Sequence, residues 1–277
     1  MDTQKFQIPA HHQAVVDRFV IACETDDRIV AAFLGGSYAR EAADDYSDLD
    51  LYLITTDQDF DEFYDQRQAF MRLLGEPVFL EEFGIPNIVF YVFVDGTEGE
   101  LGIGRENDFA DIHGGPHVVL VDKKGILAGV AFTFHEADSV EQREKLRRLI
   151  FWFWHDFSHF ITALGRGQLW WAQGQLEELR RYCVNLARLR NNFADEEVGD
   201  EPYFKIEKAM PVDHFSVLES TFAPMEKTAL LQAALIILRF YQETARDLAG
   251  IHRIAYPEKL EQVMVARLDK LQDLQSG

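Results

Sequence analysis

The chain has 277 residues, of which 47 are acidic and 27 basic, so its formal net charge is −20. Apolar residues make up 47% and aromatic residues 13%, which excludes a disordered acidic chain and predicts a folded globular protein. The acidity argues against nucleic acid as a partner, and no apolar run approaches the roughly 18 residues that span a bilayer, so no membrane partner is predicted.

The N-terminus and the cysteines indicate the compartment. The first residues, MDTQKFQIPAHHQ, contain no basic segment followed by an apolar segment, so the sequence predicts no secretory signal. Cys23 and Cys183 lie far apart and form neither a metal-binding nor a redox spacing. We therefore interpret both as reduced thiols and predict a cytoplasmic protein.

Up to about residue 135, short apolar runs alternate with turn signals, which predicts a mixed α/β region. The stretch 29–34 is a short apolar strand that ends at two glycines, and 49–55 alternates between core and surface positions. In chain order we predict a helix over 14–25, strands over 29–34 and 49–55, a helix over 60–74, hairpin strands over 87–94 and 98–103, and a strand over 117–121.

From Ser139 onward the pattern is almost wholly helical. Ser139 with Gln142 resembles a capping box, and apolar residues then recur at helical spacing. We predict helices over 139–164, 169–189, 225–249 and 258–274, an acidic loop over 193–200, and a domain boundary at 136–139. The predicted fold class is α+β: a domain over 1–137 with a mixed sheet and helices, and an all-α bundle over 138–277.

The stretch from 33 to 54 carries the most specific pattern. A predicted buried strand runs into Gly35-Gly36-Ser37, and after a gap of ten residues Asp48 and Asp50 flank a leucine at the start of the next strand. Side chains two positions apart on a strand share a face, so the two carboxylates would project together and repel unless a cation lies between them. Hard oxygen ligands suit Mg²⁺, and a glycine-rich turn lets backbone N–H groups approach a phosphate.

A third carboxylate on a neighbouring strand would complete a two-metal site. Glu100 is the best candidate, because it lies on the return strand of the hairpin that turns at Asp95-Gly96. Glu98 shares its face and is the alternative.

Together these motifs resemble the signature of the nucleotidyltransferase superfamily, which includes DNA polymerase β and the antibiotic-modifying nucleotidyltransferases. The wider chain is similar to the lincosamide branch and, in its helical half, the likeness continues through Leu164-Gly-Arg-Gly and 176–192. The further residues that carry this resemblance are Asp27-Arg28-Ile29, Tyr46-Ser47-Asp48 and Gly99-Glu100-Leu101.

The resemblance implies an N-terminal catalytic domain, a helical domain for substrate binding and dimerisation, and often a homodimer. The implied reaction transfers a nucleoside monophosphate, AMP above all, from an NTP such as ATP to a hydroxyl of a small molecule, with two Mg²⁺ ions. A lincosamide or an aminoglycoside is the expected acceptor. Asp48, Asp50 and Glu100 fall on the catalytic, metal-binding carboxylates of the family.

The same resemblance assigns the nucleotide-binding residues. Gly36 and Ser37 fall on the phosphate-binding turn, and Arg40 takes a position from which a basic side chain would reach the triphosphate. Two alternatives stay open: a nucleotidyltransferase of the regulatory or toxin–antitoxin type acting on protein or RNA, and a catalytically inactive nucleotide-binding protein.

Several residues of the helical half have side chains that could bind a metal or take part in catalysis. His155 and His159 share a helix face and, with Asp156, would suggest a transition-metal site. No further ligand at a suitable spacing is evident, so we favour a role in the core or in lining a cleft. The tryptophans are predicted to pack in the core, with Trp170 or Trp171 as candidates for stacking on a substrate. Glu177 and Glu178 are read as surface charges, with general base as the alternative role.

Overall fold

A computed structural model describes residues 10–133, 139–190 and 201–276 of the chain. The chain divides into two compact units, Met1–His135 and Glu136–Gly277. Most of the predicted boundary, 136–138, and the predicted acidic loop at 193–200 lie outside the described residues. Cys23 and Cys183 are both buried and free.

The first unit is a six-stranded sheet with helices on one face. The strand order is β3-β4-β5-β2-β1-β6, in which β2 and β5 run parallel and all other neighbours run antiparallel. The strands are β1 (Ile29–Leu34), β2 (Leu49–Thr55), β3 (Pro77–Glu81), β4 (Ile88–Phe93), β5 (Glu98–Arg105) and β6 (Val118–Asp122). The helices are α1 (Ala10–Thr25), α2 (Gly36–Ala39) and α3 (Phe60–Leu74).

Each face of this sheet has its own core. Alternate residues of β2, among them Leu51 and Leu53, pack with α1 and α3 in the larger core. The intervening residues, among them Tyr52 and Ile54, face the opposite side and pack with Phe33 and the segment that follows β5. This alternation assigns Asp50 to the second face, because it lies two positions before Tyr52.

The second unit is all-helical. Its main helices surround one buried core, in which the Phe153 ring stacks on the Tyr241 ring and Trp154 is fully buried. The helices are α4 (Ser139–Gly165), α5 (Leu169–Arg190), α6 (Ile206–Ala209), α7 (Val212–Glu219), α8 (Lys227–Ile251) and α9 (Glu258–Ser276). Together with the mixed sheet of the first unit, this bundle confirms the predicted α+β class.

Most predicted elements agree closely with the structure, and four were missed. The bounds of β1, β2 and α3 match the prediction, and the β4–β5 hairpin turns where Asp95-Gly96 predicted. The sequence analysis did not predict α2, β3, α6 or α7. None of the helices in the three described ranges is both long and apolar enough to cross a membrane.

Candidate active site

The turn between β1 and α2 lies directly against Asp50. The backbone N–H of Gly35 donates to the Asp50 carbonyl oxygen at 3.1 Å. Gly36 has a φ of 55°, and a Cβ at this position would lie 1.5 Å from Oδ2 of Asp50. Only glycine therefore allows the turn to take this conformation with the carboxylate so close.

Two polar side chains follow in the same turn. The Ser37 hydroxyl oxygen is buried and has no hydrogen-bond partner among the described residues. A buried hydroxyl without a partner is costly, so it is suited to a ligand that supplies one. Arg40 caps the C-terminal end of α2, and its positive charge acts on Asp50.

The three predicted carboxylates lie near the start of β2 and β5, and two of them are direct neighbours in the sheet. Asp50 on β2 is the direct neighbour of Glu100 on β5 in the parallel pairing. Asp48 is exposed and immediately precedes β2, so the rule that strand residues two apart share a face does not by itself fix its direction relative to Asp50. The loop that leads to it is held by Asp44, whose carboxylate accepts from the backbone N–H of Tyr46 at 2.9 Å.

These carboxylates repel one another. Burial, together with the negative charges of Asp48 and Glu100, raises the pKa of Asp50 to about 7, although Arg40 opposes the shift. Burial also raises the pKa of Glu100. The carboxylate oxygens of Asp48, Asp50 and Glu100 do not all lie within 4.8 Å of one another. Divalent cations with oxygen ligands would relieve this repulsion.

Tyr52 is a member of the site that the sequence analysis missed. Its hydroxyl donates to Oε1 of Glu100 at 3.0 Å, which partly opposes the rise in the pKa of that carboxyl. Its ring occupies the space above two glycines: a Cβ at Gly35 or Gly102 would lie 2.7 Å or 2.5 Å from ring carbons. The alternation of β2 places Tyr52 on the same face as Asp50, but its contact with Glu100 depends on the pairing of β2 with β5.

Two histidines lie beside this tyrosine. The His113 ring is 4.8 Å from the Tyr52 ring, and both His113 and His117 pack against Phe33. Burial lowers the pKa of each histidine, so both favour the neutral form. With Phe33 and Tyr52 they form an aromatic cluster on this face of the sheet.

The other candidates have different surroundings. Glu98 is exposed near the hairpin turn. Glu177 accepts a hydrogen bond from the Tyr203 hydroxyl at 2.6 Å and pairs with the buried Arg180. Glu178 is exposed and 4.0 Å from Arg181, as expected of a surface charge.

The prediction that the tryptophans pack in the core is correct only for Trp154. The side chains of Trp152 and Trp170 are 51% and 83% exposed, and Trp171 is 38% exposed. Phe153 and Trp154 belong to the apolar stripe of α4 and face the core, so Trp152, which precedes them, faces outward.

The sequence and the structure were compared with known proteins. The family model described as streptomycin adenylyltransferase matches residues 11–271. The chain is also similar to the crystal structure of an aminoglycoside 6-adenyltransferase from Bacillus subtilis, with 14% identity, a TM-score of 0.43, and coverage of 96% of this chain and 99% of that one. Among curated proteins, none matches the sequence significantly. Because the family model spans most of the chain, the protein belongs to the streptomycin adenylyltransferase family and is a nucleotidyltransferase.

Proposed function

We propose that the protein transfers AMP from ATP to a hydroxyl of an aminoglycoside-type antibiotic and releases pyrophosphate. The family match supports transfer of a nucleotide to an antibiotic. The observation that carries the assignment of the site is the pairing of Asp50 with Glu100 beside the Gly36–Ser37 turn. This arrangement combines an anionic metal site with a phosphate-binding turn, as nucleotidyl transfer requires.

We infer that Asp48, Asp50 and Glu100 hold two Mg²⁺ ions. The fit is chemical: three carboxylates supply hard oxygen ligands, and burial together with the charges of Asp48 and Glu100 raises the pKa of Asp50 to about 7, a repulsion that a divalent cation would relieve. Bound Mg²⁺ would neutralise the triphosphate and activate the acceptor hydroxyl. The Tyr52 hydroxyl would orient Glu100 by holding one of its two oxygens.

Three residues of the first unit would hold the nucleotide. The Gly36 backbone gives an anion close access, since it carries no side chain at the turn. The Ser37 hydroxyl would find in a phosphate oxygen the hydrogen-bond partner that it lacks. Arg40 would place a positive charge beside the triphosphate. The acceptor hydroxyl would then lose its proton and its oxygen would attack the α-phosphorus in line, as the bond from that phosphorus to the leaving pyrophosphate breaks.

The overall charge favours a cationic acceptor. The chain carries a formal net charge of −20, and aminoglycosides are polyamines that are protonated at neutral pH. A negative field attracts such ligands and raises their rate of association.

We propose that the protein acts as a homodimer in the cytoplasm, and analytical ultracentrifugation tests the oligomeric state.

The first experiment measures pyrophosphate release with each NTP and Mg²⁺, against a panel of aminoglycosides and lincosamides. We expect release that depends on ATP and on one class of aminoglycoside. The Asp50→Asn variant should lower kcat by more than about a thousandfold, because it removes a charged metal ligand. Glu98→Gln is the matched control, since it removes an exposed carboxylate from the neighbouring strand β5, outside the site.

The outcomes separate the alternatives. Equal losses in Asp50→Asn and Glu98→Gln would contradict the assignment of the site. ATP binding without pyrophosphate release across the whole panel would indicate that the acceptor is another metabolite, a protein or RNA. Absence of ATP binding would contradict the phosphate-binding role of the turn.

A further inference from the structure

A second cluster of metal-binding side chains lies on α4 in the helical unit. His155, Asp156 and His159 each bring one ligand atom within 4.8 Å of the others. Among the described residues, no other group of three histidine, cysteine, aspartate or glutamate side chains meets this criterion. The sequence analysis considered these three residues together and set them aside for want of a further ligand, whereas the structure brings one ligand atom of each close to the others.

The geometry fits one ion. Nδ1 of His155 and Oδ1 of Asp156 are 2.8 Å apart. Two ligand atoms on one ion with bonds of about 2.1 Å are separated by about 3 Å. The rings of His155 and His159 have their centroids 4.4 Å apart on the same side of the helix, one turn apart. Small rotations of the side chains would therefore bring all three ligand atoms onto one cation.

The aspartate is held in place from the neighbouring helix. The Tyr182 hydroxyl on α5 donates to Oδ2 of Asp156 at 2.8 Å, which leaves Oδ1 directed at His155. Carboxylates that bind metals are commonly oriented by such a hydrogen bond.

Aromatic side chains flank the cluster, yet it is open to solvent. The Trp152 ring contacts His155 with centroids 4.8 Å apart, and the Trp171 ring lies 5.8 Å from His159. The His155 side chain is 51% exposed and that of Asp156 is 14% exposed. An ion could therefore reach these side chains from solvent.

From these observations we propose that His155, Asp156 and His159 bind a divalent transition-metal ion such as Zn²⁺. Two neutral imidazoles and one carboxylate suit Zn²⁺, Ni²⁺ or Cu²⁺ and disfavour Mg²⁺, which prefers oxygen ligands alone. Three protein ligands leave at least one coordination position for water or for an incoming ligand. The proposal is independent of the proposed function, because it rests on residues of the helical unit only.

The test uses the full chain without a polyhistidine tag, titrated with Zn²⁺ by calorimetry in saturating Mg²⁺. Mg²⁺ occupies sites made of oxygen ligands and leaves the imidazoles available. We expect one zinc ion per chain, and at least a tenfold loss of affinity in His155→Gln and in His159→Gln. Tyr182→Phe should weaken binding by about tenfold, as expected when a hydrogen bond to a ligand is lost.

His252→Gln is the matched control, because it removes a histidine of the same unit outside the cluster. Equal zinc binding by wild type and both cluster variants would overturn the proposal, as would equal losses in the control. The imidazole NMR signals of the wild type give a readout that needs no variant. Zinc should shift the signals of two histidines that are assigned to 155 and 159, and shifts confined to other histidines would also overturn it.

Discussion

Tyr52 shows how a residue outside the motif controls one inside it. Its hydroxyl is the hydrogen-bond donor to Glu100, and this bond favours the charged carboxylate. We expect Tyr52→Phe to raise the pKa of Glu100, so that the acid limb of the rate profile moves to higher pH. The Mg²⁺ concentration needed for half-maximal activity should rise by about tenfold or more.

Tyr46→Phe provides the control, because Tyr46 is 95% exposed and its loss of a hydroxyl should leave both quantities unchanged. Measurement of the initial rate across pH and Mg²⁺ concentration checks the prediction. A lower rate with an unaltered pH profile and Mg²⁺ dependence would assign Tyr52 to packing alone.

The pKa of Asp50 predicts how stability depends on pH in the absence of metal. Its folded-state pKa of about 7 lies above the unfolded value of 3.8, so the stability gained by protonation is present below about pH 4 and lost as pH rises towards 7. The loss amounts to at most about 4 kcal/mol. We expect the Asp50→Asn variant not to show this loss of stability, because asparagine does not titrate.

Thermal unfolding in EDTA at several pH values measures this effect. The melting temperature of Asp50→Asn should exceed that of the wild type by a margin that grows between about pH 4 and pH 7. Added Mg²⁺ should stabilise the wild type more than the variant. A margin that is constant with pH would show that Asp50 titrates near its ordinary value.

At the residue scale, the sequence located the motif but could not locate its supports. Gly36, Asp50 and Glu100 were found from spacing and strand alternation, and they lie together. The contact of Tyr52 with Glu100 depends on the register of β2 against β5, which no local pattern encodes. The exposure of Trp170 was missed for a related reason: hydrophobicity alone does not show which side of a helix is covered.

At the scale of the element, the parallel pairing of β2 with β5 brings the carboxylates together. Gly99 allows this pairing, since a Cβ there would lie 2.2 Å from the carbonyl oxygen of Leu49. We expect Gly99→Ala to force the strands apart and to lower the free energy of unfolding by about 1–3 kcal/mol. Activity should fall as Asp50 and Glu100 separate.

Gly174→Ala is the control of opposite sign. Gly174 is an exposed position inside α5, and nothing lies within 4 Å of where its Cβ would be. Alanine there should raise the free energy of unfolding by up to about 1 kcal/mol, through helix propensity. Chemical denaturation of both variants tests the pair, and an unchanged or higher stability of Gly99→Ala would contradict the role given to Gly99.

Elements with a clear periodic pattern were predicted and short ones without it were not. The bounds of α3 follow from acidic residues in its first turn and from Gly75 directly after its last residue. β3 was missed because its residues, Pro77–Glu81, lie at the sheet edge and do not alternate between core and solvent. The single turn of α6 is too short to show a period.

At the scale of the whole molecule, the net charge of −20 predicts a response to salt. Like charges destabilise the folded state, and their range falls from about 30 Å at 0.01 M to about 8 Å at 0.15 M ionic strength. We expect the melting temperature to rise over this range. Equal shifts with sodium chloride and choline chloride would confirm screening, whereas a fall in either salt would contradict it.

The order of the strands could not be read from the sequence. Local patterns predicted most of the strands, but the placement of β5 beside β2 rather than at an edge is a property of the whole sheet. Spacing suggested a neighbouring strand for Glu100 without saying in which direction it runs. In the structure the two strands are parallel, and their register places Asp50 beside Glu100.

This parallel pairing also bears on how the protein folds. Asp50 and Glu100 are 50 positions apart in the chain, whereas β4 and β5 are joined by a tight turn. Hairpins form within microseconds, but contacts between distant segments must first overcome the entropy of closing a long loop. The hairpin should therefore form before it docks on β2, and the triphosphate site should appear among the last features of the first unit to fold.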